Sequence, residues 1–134
     1  MRRNYYTGKY ALDKTEFLHA KYYALRYHKW KDEYKALEDS SRAIRYDRDS
    51  VQTSGDFDPV EYAGIRRAEL ARKIDIIEQT AKETDETLFR WILQGVTDSF
   101  ATFTYLHTIK SMPCSRNTYY NRRHKFYYLL SGKI

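Results

Sequence analysis

Apolar positions recur at helical spacing along most of the chain. Tyr23, Tyr27, Trp30, Tyr34, Leu37 and Ile44 fall four, three, four, three and seven residues apart. That is the seam of a helix packed lengthwise on another, and it predicts a first long helix from near Asp13 or Thr15 to near Tyr46. Because the aromatic stripe keeps helical register throughout, it reads as core packing rather than a base-stacking platform. Residues 47–58 are polar and turn-rich and read as a loop. A second helix then begins with Asp58 as cap, Pro59 at the first helical position and Glu61 completing a capping-box pattern. Ala63, Leu70, Ile74, Ile77 and Ala81 mark its buried stripe, and a third, shorter helix is expected from about Asp85 to Val96, with Trp91 in the core. Past Ser99 come a short Thr/Tyr/Leu helix up to Lys110, a break over residues 111–114, and a run to Leu130 capped by Gly132.

The expected fold class is therefore all-α: a long N-terminal helix packed on a second helix, followed by a C-terminal helix-turn-helix. Residues 1–98 form the helical scaffold and 99–134 the basic unit, packed with it as one compact body. Composition agrees, since five glycines, two prolines and few alternating Val-rich runs argue against a β-sandwich. The 14 tyrosines suit a thin core, because each buries a ring and keeps a hydroxyl wet. A single cysteine excludes an intramolecular disulfide and fits a reducing compartment. The first residues carry charge with no apolar run behind them, and no stretch approaches the ~18 apolar residues of a membrane span. A soluble, cytoplasmic protein is the expectation.

Charge becomes informative once it is located. Residues 1–35 hold nine Lys/Arg and four Asp/Glu, residues 36–98 hold nine and fourteen, and residues 99–134 hold six basic side chains and no acid. A basic segment free of acids is a field suited to a polyanion.

Residues 105–124 have the order of a helix-turn-helix, whose second helix meets the major groove with its N-terminal end. Ser115 is placed to cap that helix. Met112, Cys114, Tyr119, Phe126 and Leu130 can face the core, which leaves Arg116, Asn117, Tyr120, Asn121 and His124 facing the bases. Arg reads guanine and Asn reads adenine through paired hydrogen bonds. Ser115, Arg122, Arg123 and Lys125 would flank this strip and meet phosphates.

From Thr102 onwards, and above all over Met112-Pro113-Cys114-Ser115-Arg116-Asn117-Thr118-Tyr119-Tyr120-Asn121-Arg122-Arg123, the chain resembles the C-terminal helix-turn-helix of the RinA-like and ArpU-like transcription regulators of phages and prophages. Their unit is similar to the promoter-reading region of sigma factors. A long first helix, then Ser50-Val51-Gln52-Thr53-Ser54-Gly55-Asp56 and a charged helix, is similar to their layout. The resemblance implies control of late genes by promoter binding, with double-stranded DNA as partner and contact with RNA polymerase. A homodimer through the first long helix fits the same picture. The chain departs from that pattern in three places. Pro113 stands where glycine is common and cannot adopt positive φ, Ile109 replaces a small residue, and Arg122 falls on a position often apolar.

Enzymatic readings are weaker. Cys114 has no oxyanion loop and sits in a core slot, and His19, His28, His107 and His124 lack metal-ligand spacing. Arg122-Arg123-His124 with Tyr127 or Tyr128 is a faint likeness of tyrosine recombinases, whose catalytic domain needs far more chain. No catalytic residue, metal or cofactor is expected. Two other readings stand beside the regulator: a small-terminase-like DNA-packaging protein, and a phage protein that binds and inhibits a host protein.

Overall fold

The structure, a computed structural model, describes residues 8–48 and 58–134. Every regular element in them is helical: a 3-10 turn at Gly8–Tyr10, then α1 (Lys14–Leu25), α2 (Tyr27–Arg48), α3 (Pro59–Thr84), α4 (Phe89–Thr97), α5 (Phe103–Thr108) and α6 (Arg116–Ser131). No helix among them is long and apolar enough to cross a membrane. The side chain of Ile44, and the segment from Ser50 to Asp56, lie outside the described residues.

The expected first long helix is two helices. Asp13 caps α1 by accepting the Glu16 N–H at 2.8 Å. The helix then breaks at Arg26, whose backbone (φ −84°, ψ −3°) lies in the bridge region and whose N–H bonds the Tyr23 carbonyl at 3.2 Å. That three-residue reach tightens the last turn and interrupts the i−4 ladder. Neither glycine nor proline marks the site. It coincides instead with a change of packing partners, because the chain divides into two compact units at Tyr27/His28 and again at Asp75/Ile76. One unit joins the described residues up to Tyr27 to Ile76–Ile134, and the other is His28–Asp75. This division falls inside α3, not at residue 98, and it places 99–134 in one body with α1 and α4. α2 also runs to Arg48, past the expected start of the loop at residue 47, and the rest of that loop up to residue 57 lies outside the described residues.

In the larger unit, α1 packs on α6 and α4, and α4 packs on α5 and α6. The buried row on α1 is Phe17, Ala20, Ala24 and, just past the break, Tyr27, while Tyr23 is only half-buried. Two fully buried alanines allow close approach of the partner helix. Phe17 meets Tyr127 edge-on at 5.3 Å, and Phe126 meets Tyr127 at 5.5 Å. Such pairs add about 0.5–1.5 kcal/mol each beyond area burial. The Tyr27 hydroxyl donates to Glu78 Oε1 at 2.6 Å. Burial first, then that carboxylate, pushes the phenol far above its ordinary range.

The smaller unit is built from α2 and the first half of α3. Trp30, Ala63 and Leu70 are buried in it, Tyr34 and Leu37 are half-buried, and the Lys73 ammonium lies 5.2 Å from the Trp30 ring. Arg66 bridges to Glu33 at 3.1 Å and to Glu69 at 3.2 Å. Partly exposed pairs of this kind contribute about 0–1 kcal/mol, so the apolar row carries the packing. Asp58 caps α3 as expected, accepting from Val60 and Glu61 N–H, and Ala63, Leu70, Ile77 and Ala81 are buried along it, with Ile74 half-buried.

The third expected helix starts four residues late. Asp85 turns its carboxylate onto the N–H groups of Thr87 and Leu88, both at 2.9 Å. This side-chain turn competes with helix over residues 85–88, and α4 begins at Phe89. Trp91 is half-buried, and its indole N–H donates to the Lys110 carbonyl at 2.8 Å, tying the end of α5 to α4.

Candidate nucleic-acid interface

Residues 102–132 fold as two helices joined by a tight turn. Thr102 caps α5 through the Tyr105 N–H, and Leu106 turns fully inward. Beyond α5 the Ile109 and Lys110 N–H groups share the Tyr105 carbonyl at 2.9 and 3.3 Å, and the Met112 N–H reaches back to Leu106 at 3.0 Å. Between them Ser111 takes a left-handed conformation, φ 56°. The reversal thus rests on Ser111, so Pro113 never has to supply positive φ, and its presence in the turn is compatible with the fold. Ile109 is largely exposed, at 64%. A bulky residue there does not separate the helices.

Ser115 caps α6: its hydroxyl accepts the Thr118 N–H at 3.2 Å and meets Thr118 Oγ1 at 3.0 Å. Tyr119, Phe126, Tyr127 and Leu130 are buried along one face, with Met112 beneath the turn and Cys114 half-buried. Tyr127 is an addition to the expected inward set. At the far end Gly132 caps α6 with an ordinary right-handed backbone, φ −72°.

Of the five expected base-facing residues, Arg116, Asn117, Tyr120 and Asn121 are all exposed on the first turns of α6. His124 departs from them. It is half-buried, and burial first, then the neighbouring Arg123, holds its imidazole below the ordinary range and uncharged at neutral pH. Among the expected phosphate contacts, Ser115 is exposed and Lys125 half-buried. The Arg123 guanidinium donates to the Tyr127 hydroxyl at 3.3 Å. Arg122 points elsewhere: its Nε bonds Asp85 Oδ2 at 2.9 Å, across to the turn before α4. Burial alone would raise the Asp85 pKa, but the Leu88 N–H, the Arg122 guanidinium and the Thr87 N–H together hold it below the usual carboxylate range. Arg122 thus ties α6 to the 85–88 turn. Lys133 is engaged likewise, with Thr80 Oγ1 at 2.9 Å and Glu83 Oε2 at 2.8 Å.

Three contributors are not visible from the helix-turn-helix pattern. Asp85 lies 37 positions before Arg122, and only the fold joins them. Phe103 holds its ring 4.7 Å from the Arg116 guanidinium carbon and 5.9 Å from the Tyr119 ring. Gly95 lets Tyr119 lie flush on α4: a Cβ there would collide with the Tyr119 hydroxyl and stand 3.3 Å from Leu106 Cδ1. The sequence signal for Gly95 is a glycine inside a helical pattern, which marks a close approach without naming the neighbour.

Arg116 opens α6, where no acid balances the helix dipole. A cation at this end is disfavoured by about 0.3–1 kcal/mol, and a guanidinium over a ring recovers about 0.5–1 kcal/mol. The two nearly cancel, and the result is a concentrated positive end. Burial, with Asp85 adding and Arg122 opposing, pushes the Cys114 thiol up, which disfavours the thiolate a nucleophile needs. Among the described residues no group of His, Cys, Asp and Glu is placed to hold a metal ion. Compared with models of protein families, with curated proteins and with solved structures, the chain finds no match.

Proposed function

We propose that the chain is a sequence-specific binder of duplex DNA, acting through α6, of the kind phages and prophages use to regulate transcription in the bacterial cytoplasm. One observation carries the reading: Arg116, Asn117, Tyr120 and Asn121 form an exposed strip on the first turns of a helix anchored by the fully buried Tyr119, Phe126, Tyr127 and Leu130, within a segment that has no acid. A buried back and a polar front hold the donors in register, and Arg and Asn are the side chains that match guanine and adenine edges. Ser115, Arg123 and Lys125 border the strip as phosphate contacts, and Arg122 supports the scaffold. RNA polymerase contact belongs to the same reading by the resemblance of the C-terminal segment, and pairing of two copies belongs to it through the expected first long helix, which is α1 and α2.

The test is selection of bound duplex DNA from a random pool at fixed salt. The wild type is expected to select a motif, and Arg116→Ala and Asn121→Ala to flatten it at separate positions. Losing one bidentate contact costs about 1–3 kcal/mol at one base pair. A wild type that enriches nothing over the starting pool would remove DNA reading.

A protein-binding role draws on a different feature. Phe100 is 88% exposed on the turn before α5, where Asp98 Oδ1 accepts its N–H at 2.9 Å, and Ile109 is also exposed. Failure of DNA selection would give that reading the lead.

A further inference from the structure

We infer that Phe103 is a positioning residue that presents the Arg116 guanidinium to guanine and makes Arg116 the specificity-determining contact of the α5–α6 unit. The inference rests on the reading of α6 as a duplex-DNA reader. It goes further by naming the base and the residue that orients its reader.

The geometry is a tier of three groups. At the bottom Tyr119 is fully buried between α4 and α6. Above it the Phe103 ring lies 5.9 Å away, and it also meets the His107 ring at 5.4 Å. The Arg116 guanidinium sits 4.7 Å from the Phe103 centroid, at the exposed top. A half-buried ring in contact with a fully buried one gives the cation a platform. An unsupported arginine on the first turn would sample many rotamers, and ordering it would weaken any contact it made. Held against a ring, a guanidinium still has N–H donors along its rim, and two parallel donors match the O6 and N7 acceptors of guanine in the major groove. A lysine lacks both the plane and the fork.

Electrostatics points the same way. Arg66, Arg122 and Lys133 each form an ion pair with a carboxylate. Among the described residues Arg116 forms none, and residues 99–134 contain no acid that could take it. Its partner among the described residues is a neutral ring, which orients the group without consuming its donors. Asn117, Tyr120 and Asn121 share the strip, so a guanine met by Arg116 would lie at the edge of the site read by the start of α6.

The experiment uses the full chain and the duplex it selects from a random pool, with each guanine of the motif replaced in turn by 7-deazaguanine, which lacks the N7 acceptor. For the wild type one such replacement is expected to weaken binding about tenfold. Phe103→Leu keeps an apolar contact on Tyr119 but no aromatic face. It is expected to bind the natural duplex about tenfold more weakly and to be indifferent to the 7-deaza change. Phe103→Tyr is expected to restore both. Arg116→Lys, which keeps the charge and leaves the core untouched, should show the same indifference with an unchanged salt slope.

Full 7-deaza sensitivity in Phe103→Leu would overturn the positioning role, as would a motif in which no guanine responds to Arg116→Lys. A wild type that selects no duplex at all removes the DNA reading itself, a result distinct from either of these.

Discussion

Single residues settle two features of the α5–α6 turn. Ser111 carries the left-handed backbone that glycine would adopt without a Cβ clash, at a cost of about 1–2 kcal/mol for an L residue. Glycine loses more chain entropy on folding, which offsets part of that gain. Ser111→Gly is therefore expected to stabilise the protein by up to about 1 kcal/mol, read as a rise of a few degrees in Tm. A fall of similar size would mean that the serine side chain makes a contact worth more than the strain. Pro113 was the residue the sequence made suspect, and it is harmless because the reversal lies two positions earlier. Proline's fixed φ constrains only its own position and disfavours helix at Met112, where the chain has already left α5.

At the scale of elements, the packing of α6 on α4 depends on one missing methyl group. Gly95 faces the Tyr119 hydroxyl so closely that a Cβ cannot be added without movement, and both Gly95 and Tyr119 are buried. Overpacking a dense site costs about 1–3 kcal/mol. Gly95→Ala is expected to lose that amount, less a contribution of up to about 1 kcal/mol from the better helix propensity of alanine. Tyr119→Phe alone removes only the hydroxyl, and in the double variant it should recover most of the loss, because the vacated space is the space the methyl needs. Denaturant unfolding of the four proteins gives the coupling. Simple additivity of the two changes would show that the methyl is accommodated elsewhere. The break at Arg26 belongs to this scale too. The stripe from Tyr23 to Leu37 is continuous in sequence, yet α1 and α2 serve different units, and the ladder gives way where the partners change.

Over the whole molecule, the charges of the basic segment divide between holding the fold and facing solvent. Arg122 bonds Asp85 at 2.9 Å with the two side chains 41% and 18% exposed. Solvent screening limits that pair to about 1 kcal/mol. Arg122→Ala should lower stability by roughly that amount at neutral pH and leave the salt slope of DNA binding unchanged. On the proposed DNA-binding role, Lys125→Ala should leave Tm in place and lower the slope by about one unit, as the loss of one phosphate contact does. An Arg122→Ala protein with wild-type stability and a reduced slope would reverse the assignment. The pH dependence has a definite sign. Asp85 has a folded pKa below its unfolded value, so its contribution is present above the unfolded pKa of about 3.9 and is lost as pH falls through the folded value. The stability difference between wild type and Arg122→Ala should therefore shrink in strong acid and stay level near neutrality. A difference that persisted unchanged well below pH 3 would mean that Arg122 acts through packing of its stem.

Helix type, most caps and the inward faces were legible in the chain because they depend on spacing and on neighbours within one turn. Asp13, Asp58 and Ser115 cap where their side-chain chemistry says they should, and the rows on α3 and α6 follow from a period of 3.6 residues. The exposed strip of Arg116, Asn117, Tyr120 and Asn121 was legible too, because it lies beside the apolar row on the first turns of a helix whose start Ser115 marks. Contacts between distant positions were not. That Arg122 turns to Asp85, that Phe103 lies under Arg116, that His124 is half-buried and that Tyr119 needs Gly95 are consequences of α5 and α6 meeting α4 and the end of α3. Local pattern decides which face of a helix is dry. What meets the other face, and which charges remain for a partner, is decided only when helices far apart in the chain are brought within reach of one another.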